Sequence, residues 1–188
     1  MTVLIWVLAL TPIGYIPLFE IDITLMCIPV IVGACALGLP YGLFLGLMFA
    51  FTSLFMALMG RSVGPLLSPL LNSQAAMYLT IFVPRLLIPV ITWIVYKSTK
   101  KWYSLISYAF SALAGSFANT VFFLGFVYVS GVMLLPPESY HLSNSDLLAA
   151  LIGIAKTSGV LEAAVAVIVC VPVLFFLKKM SGRVDDDS

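Results

Sequence analysis

The chain has 188 residues, of which 62% are hydrophobic and only 9% charged. Soluble domains are about one quarter charged, so these few charged side chains cannot cover the surface of a soluble fold. The net charge of +1 excludes a nucleic-acid binder that depends on a basic surface. These numbers predict a polytopic membrane protein, with residues 1–188 forming a single integral-membrane domain.

Hydropathy predicts an all-α membrane protein with six transmembrane helices. The segments long enough to cross a bilayer lie near residues 1–18, 23–38, 41–60, 76–97, 103–133 and 147–177. Pro12, Gly14 and Pro17 interrupt the first segment and should kink or end its helix. A signal peptide is the alternative for this segment, but it has no Lys or Arg and no A-x-A cleavage pattern.

Basic residues cluster after the fourth and sixth segments, and the positive-inside rule places such clusters in the cytoplasm. They are Lys97, Lys100, Lys101, Lys178, Lys179 and Arg183. The links 19–22, 61–75 and 134–146 should therefore face outward, and they contain Arg61 as their one Lys or Arg. This arrangement predicts a multi-pass membrane protein with both termini cytoplasmic.

Two of the outer links are rich in proline. Residues 61–75 contain Pro65 and Pro69, and residues 134–146 contain two adjacent prolines, so neither link can form a continuous spanning helix. Irregular backbone survives at membrane depth only where it is buried in protein or lines a wet cavity. We therefore expect these two loops to cap an outward-facing pocket.

Ionisable residues inside spanning segments are costly unless they are paired or hydrated, so each is a functional candidate. The predicted substrate-binding residues are Asn72, Tyr78, Arg85, Asn119, Lys156 and Glu162. The planar fork of Arg85 suits a carboxylate, and Lys156 offers a second positive charge. The amides and the phenol could hydrogen-bond hydroxyls or an amide of a ligand.

Structural alternatives exist for several of these residues. Arg85 and Glu162 could neutralise each other between helices, because buried ions are usually paired. Lys156 could instead extend its amine towards the outer headgroups. Asn119 could make an ordinary interhelical hydrogen bond.

Metal-binding motifs are missing from the sequence, and no complete catalytic group can be assembled from its residues. Cys27, Cys35 and Cys170 sit in apolar runs without a C-x-x-C pair, and the chain has one histidine, so no metal or cofactor is expected. H-E-x-x-H does not occur, and although G-x-S-x-G occurs once, at residues 60–64 (GRSVG), a single loop histidine gives no nucleophile–base pair, so we predict a binding protein rather than an enzyme. The chain also lacks the length and two-fold repeat of a secondary transporter, and a binder of this kind needs a partner that supplies energy.

Small residues recur every four positions around the second and third segments. Ala34, Gly38, Gly42 and Gly46 form this small-residue stripe, which lets a neighbouring backbone approach closely. The neighbour is either another helix of the same chain or a separate membrane subunit.

The chain resembles the substrate-binding S components of energy-coupling-factor (ECF) vitamin transporters. The likeness is carried by residues 23–33 (ITLMCIPVIVG) and 38–47 (GLPYGLFLGL). It continues through Ser68-Pro69 and Asn72 in the Pro-rich loop to residues 83–85 (VPR). Among such proteins it looks most like the pantothenate type. The resemblance implies a six-helix subunit that binds the vitamin outside and delivers it through a membrane T component and two cytoplasmic ATPases.

The resemblance also implies a docking face on the early helices, where helix one of family members often carries A-x-x-x-A. Here Ala9 is followed four residues later by Ile13, so that pattern is absent. The small-residue stripe could serve instead if it faces outward.

Pantothenate has one carboxylate, one amide and two hydroxyls, which suit the predicted residues. The same residues also suit other small acidic vitamins or precursors, which remain alternatives within the same class. A ligand-free membrane scaffold is the alternative from a different class.

Overall fold

The computed structural model describes residues 2, 5–7, 15–18, 21–59, 73–101, 103–133 and 143–186. Most of the first predicted helix, most of both Pro-rich loops, and Asn72 lie outside these residues. The described part is a bundle of apolar helices with one short β-hairpin, which confirms the predicted helical membrane fold.

The hairpin comes first in the chain. Strand β1, Tyr15–Leu18, pairs antiparallel with strand β2, Ile21–Thr24. Helices had been expected over 1–18, which includes β1, and over 23–38, which includes the last two residues of β2. Pro12, Gly14 and Pro17 were expected to kink or end the helix over 1–18. A proline is tolerated in a two-stranded ribbon, because both of its strands are edge strands. Strand β2 reads Ile-Asp-Ile-Thr, an alternation of β-branched and polar residues that favours a strand.

The helices follow in chain order. They are α1 Cys27–Ala36, α2 Leu39–Leu58, α3 Gln74–Thr99, α4 Ser104–Met133, α5 Asn144–Ile154, a π-helical segment Ala155–Gly159, and α6 Val160–Asp186. Within the described residues, four helical stretches are long and apolar enough to cross a membrane, the last being Ser145–Met180. Together with the shorter α1 and the helical residues 5–7, the described elements are compatible with six helices.

The final stretch contains a local irregularity. One helix was predicted over 147–177, and the structure instead joins α5 to α6 through the π-helical segment. The Thr157 hydroxyl donates back to the carbonyl of Gly153 at 3.0 Å, a local bond of the kind that bends helices. Short π-helical insertions of this kind occur frequently at functional sites.

The small-residue stripe lies inside the bundle. A Cβ atom placed on Gly42 would lie 2.8 Å from Cβ of Ala34 and 2.9 Å from Cβ of Pro89. One placed on Gly46 would lie 2.6 Å from the carbonyl oxygen of Arg85. Gly38 occupies the turn between α1 and α2, where its φ of 93° favours glycine.

This packing corrects the alternative assignment of the stripe. Docking through Ala34, Gly38, Gly42 and Gly46 required the stripe to face outward. Ala34, Gly42 and Gly46 are buried between α1, α2 and α3, and Gly38 serves the turn. The chain's own helices therefore occupy the surface that a separate subunit would have needed.

The basic clusters meet at one end of the bundle. The Nζ of Lys178, near the end of α6, donates to the Oγ of Ser104, the first residue of α4, at 3.0 Å. Ser104 lies three residues after Lys101, the last lysine of the link between α3 and α4. The end of α6 and the start of α4 thus lie side by side.

Replacing Gly46 tests the close approach of α2 to α3. Gly46→Ala should destabilise the chain by about 1–3 kcal/mol, because the new methyl group meets a backbone carbonyl that cannot rotate away. Gly125→Ala is the matched control, since nothing lies within 4 Å of a Cβ there. Thermal unfolding in detergent should show a lower melting temperature for the first variant only. Equal melting temperatures would contradict the packing.

Candidate functional site

Arg85 lies in the interior of the bundle. It is eleven residues into α3, about 16 Å from the start of that helix at 1.5 Å per residue. Its side chain is only 8% exposed. A permanent positive charge at this depth is costly in an apolar bundle, so its surroundings must stabilise it.

Two aromatic rings and a backbone carbonyl contact the guanidinium group. Its central carbon lies 4.4 Å from the ring centroid of Phe123 on α4 and 5.2 Å from that of Phe49 on α2. Both distances allow cation–π attraction, which is strongest away from water. Nη1 also donates to the carbonyl of Thr80 at 3.4 Å.

The carbonyl of Thr80 is available because of a proline one turn later. In an α-helix this oxygen would accept from the N–H of residue 84, but residue 84 is proline and has none. The Arg85 side chain takes the place of that donor. The sequence Pro84-Arg85 therefore supplies both a vacated acceptor and the cation that bonds to it.

On α4, Thr120 joins the site to α6. Its hydroxyl lies 3.5 Å from Oε2 of Glu162 and 3.3 Å from the carbonyl of Ser116. Its methyl group faces Gly159, where an added Cβ would lie 2.9 Å away. Gly159 thus permits the close approach of the π-helical segment that brings Glu162 to α4.

Glu162 is the second buried charge, with 7% of its side chain exposed. Thr120, which contacts Glu162, and Phe123, which contacts Arg85, lie about one turn apart on α4. The two charges therefore lie in the same region of the bundle. We call Arg85, Asn119, Thr120 and Glu162 the interior polar cluster.

Asn119 adds an acceptor to this cluster. Its side chain is 6% exposed, and within the described part of the chain its Oδ1 accepts no hydrogen bond. It lies one helical turn from Phe123, on the same face of α4 as the ring that contacts Arg85. A buried acceptor without a donor is unfavourable, so this position suits a ligand or a water molecule.

The structure separates the other predicted site residues from this cluster. Lys156 is exposed on the π-helical segment. Tyr78 is 47% exposed, and its ring packs edge-on against Phe82. Asn72 lies outside the described residues. The structure therefore brings together Arg85, Asn119 and Glu162, and leaves Tyr78 and Lys156 at the surface of the described bundle.

Sequence reasoning missed the aromatic and hydroxyl partners. Phe49 and Phe123 look like ordinary apolar residues, and Thr120 like an ordinary helix residue. One signal was present for Thr80, because a proline four residues later always vacates a helix carbonyl.

These features define a membrane protein with a buried cluster of charged and polar side chains among its helices. The family model for the ECF transporter substrate-specific component matches residues 1–174, so the chain belongs to that family. A comparison with curated proteins finds no match. The chain is therefore a multi-pass membrane transport subunit that works with a T component and ATPases on a small vitamin substrate.

The link between Thr120 and Glu162 can be tested by removing the hydroxyl alone. Thr120→Val keeps the methyl contact with Gly159 but removes a hydrogen bond to a buried carboxylate, and should destabilise the chain by about 1.5–3 kcal/mol. The matched control is Thr157→Val, because among the described residues the exposed Thr157 hydroxyl bonds to carbonyls of its own helix. Thermal unfolding in detergent compares the two variants. If Thr157→Val loses as much stability as Thr120→Val, the hydrogen bond between Thr120 and Glu162 does not explain the loss.

Proposed function

We propose that this chain binds a small water-soluble vitamin bearing one carboxylate, pantothenate first, on the outer side of the membrane. It then delivers the vitamin through a T component and two cytoplasmic ATPases. The observation that carries the proposal is the position of the Arg85 guanidinium, held in the bundle interior between Phe49 and Phe123.

A guanidinium group is suited to a carboxylate by charge and by shape. It presents its N–H groups in a rigid fork that matches the two carboxylate oxygens. The aromatic rings and the Thr80 carbonyl fix the plane of the group. An anion entering this environment meets a charge with little water around it, where electrostatic attraction is stronger than in bulk solvent.

The rest of the interior polar cluster suits the neutral groups of the ligand. The Oδ1 of Asn119 can accept from an amide N–H or a hydroxyl, and pantothenate has both. Glu162 can accept from a hydroxyl. This chemistry supports a small hydroxylated or amide-bearing acid, while the preference for pantothenate rests on the resemblance described above.

The orientation is part of the proposal. The contact between Lys178 and Ser104 supports a single basic end of the bundle, which the positive-inside rule assigns to the cytoplasm. Both chain termini are then cytoplasmic, and the Pro-rich links face outward.

Two alternatives make different predictions. A vitamin or precursor other than pantothenate would use the same cluster, so only competition between ligands separates the two. In the second, Arg85 and Glu162 serve only to neutralise each other within a scaffold. Removing the charge of Arg85 would then destabilise the fold rather than change binding, because it leaves a buried carboxylate uncompensated.

The experiment is a thermal-shift titration of the purified chain against a panel of water-soluble vitamins. A ligand that binds only the native state stabilises it by about 2.7 kcal/mol at a hundred times its dissociation constant. We expect pantothenate to raise the melting temperature of the wild type. Arg85→Gln should remain folded and lose the shift, because losing one partner of a buried charged contact costs about 2–5 kcal/mol of binding.

Lys156→Gln distinguishes the two candidate cations. Since Lys156 is exposed, this variant should keep the ligand-induced shift. If Lys156→Gln loses the ligand-induced rise in melting temperature and Arg85→Gln keeps it, Lys156 and not Arg85 binds the anion. A shift with a different vitamin would replace pantothenate as the substrate, and no shift with any vitamin, from folded protein, would favour the scaffold.

A further inference from the structure

An apolar groove runs along the outside of the bundle between α4 and α6, near its basic end. Leu105, Ile106 and Ala109 form one wall, and Val167, Ile168, Val171 and Pro172 form the other. Its volume is about 440 Å³, and its lining is almost wholly apolar. The groove is formed by two helices that are long and apolar enough to cross the membrane, so a hydrocarbon chain suits it.

Hydrogen-bond donors stand at one end of this groove. Ser104 directly precedes the groove residue Leu105, and its Oγ accepts from the Nζ of Lys178. Lys178 is exposed and lies six residues beyond Pro172, about 9 Å along the helix axis. Lys101 is also exposed and lies three residues before Ser104.

Negative charge is not seen at this end among the side chains that the structure describes. Of the acidic residues with described side chains, Asp146 lies in the first turn of α5 and Glu162 in the bundle interior. Glu162 is sixteen residues from Lys178, about 24 Å along α6. An apolar groove ending at exposed ammonium groups is complementary to an amphiphile with an anionic head.

We infer that this groove is a binding site for an anionic phospholipid, with an acyl chain lying between α4 and α6. The lipid phosphate contacts Lys178 and Lys101. Basic groups beside membrane-spanning helices attract anionic lipids, by roughly 1 kcal/mol for each lysine near the surface. The acyl chain adds apolar contact that does not depend on charge. This site is separate from the interior polar cluster and does not depend on which vitamin binds there.

The test uses the full chain in detergent with either dioleoylphosphatidylglycerol or dioleoylphosphatidylcholine. The melting temperature is followed as each lipid is added. The anionic lipid should stabilise the wild type at concentrations where the zwitterionic lipid does not. Lys178→Gln should raise the half-saturating concentration of the anionic lipid about fivefold, which is the loss of one lysine near the surface.

Lys97→Gln is the charge-matched control. Lys97 belongs to the same basic end, but its Nζ lies over the ring of Trp93 on α3, 4.6 Å from the centroid. It should leave the titration unchanged. Equal effects of Lys97→Gln and Lys178→Gln would show that the lipid responds to the overall surface potential, which would contradict a specific site. Equal stabilisation by the two lipids would contradict it as well.

A second pair of variants tests the groove itself. Ala109→Leu fills it and should weaken the stabilisation by both lipids, whereas Ala164→Leu makes the same change on an exposed position of α6 outside the lining. Size-exclusion chromatography checks that both variants are folded. If Ala109→Leu leaves lipid binding intact but blocks assembly with the T component, the groove is a protein-docking surface and the lipid proposal is wrong.

Discussion

A permanent positive charge buried in an apolar bundle is the constraint around which this structure is arranged. The guanidinium of Arg85 cannot be neutralised by losing a proton, so the protein must solvate it with its own groups. It does so with two aromatic faces and with a carbonyl that Pro84 has released from helical hydrogen bonding. The cation and its acceptor therefore come from adjacent turns of one helix.

A second proline and a glycine fix the neighbouring helix. Pro89 vacates the carbonyl of Arg85 in the same way, and Gly46 on α2 packs against that oxygen. Phe49 follows Gly46 by three residues, about one turn along the same face, and lies over the guanidinium. The close contact at Gly46 thus determines where the ring of Phe49 sits. On the opposite side, Gly159 and Thr120 hold α6 against α4 and bring Glu162 into the same region.

Much of this arrangement could be predicted from the sequence. Hydropathy located the long helices, and the rarity of charges inside them singled out Arg85 and Glu162, which the structure buries. The same argument also singled out Lys156, which is exposed. Hydropathy gives the depth of a residue in the membrane but not the rotation of its helix about its own axis. Lys156 lies in the π-helical segment, which changes the direction of side chains relative to a regular α-helix.

Other features depend on tertiary contacts that a single sequence does not contain. Glycines spaced by four predict a close helix partner but do not identify it, and here the partner of Gly42 and Gly46 is the chain itself. Phe49 and Phe123 differ from other phenylalanines only by facing Arg85. The β-hairpin before α1 was missed because residues of a hydrophobic hairpin raise the hydropathy as much as those of a helix.

In the proposed function, Arg85 recognises the carboxylate of the substrate. The most direct test compares binding of pantothenate with that of its neutral alcohol, in which the carboxylate is replaced by a hydroxymethyl group, for wild type and for Arg85→Gln. The wild type should prefer the acid by about tenfold or more, since hydrogen bonds to charged groups contribute about 1.5–3 kcal/mol. The variant should lose this preference while it still binds the alcohol. A preference for the acid that survives in Arg85→Gln would contradict this role of Arg85, as would a wild type that binds both equally.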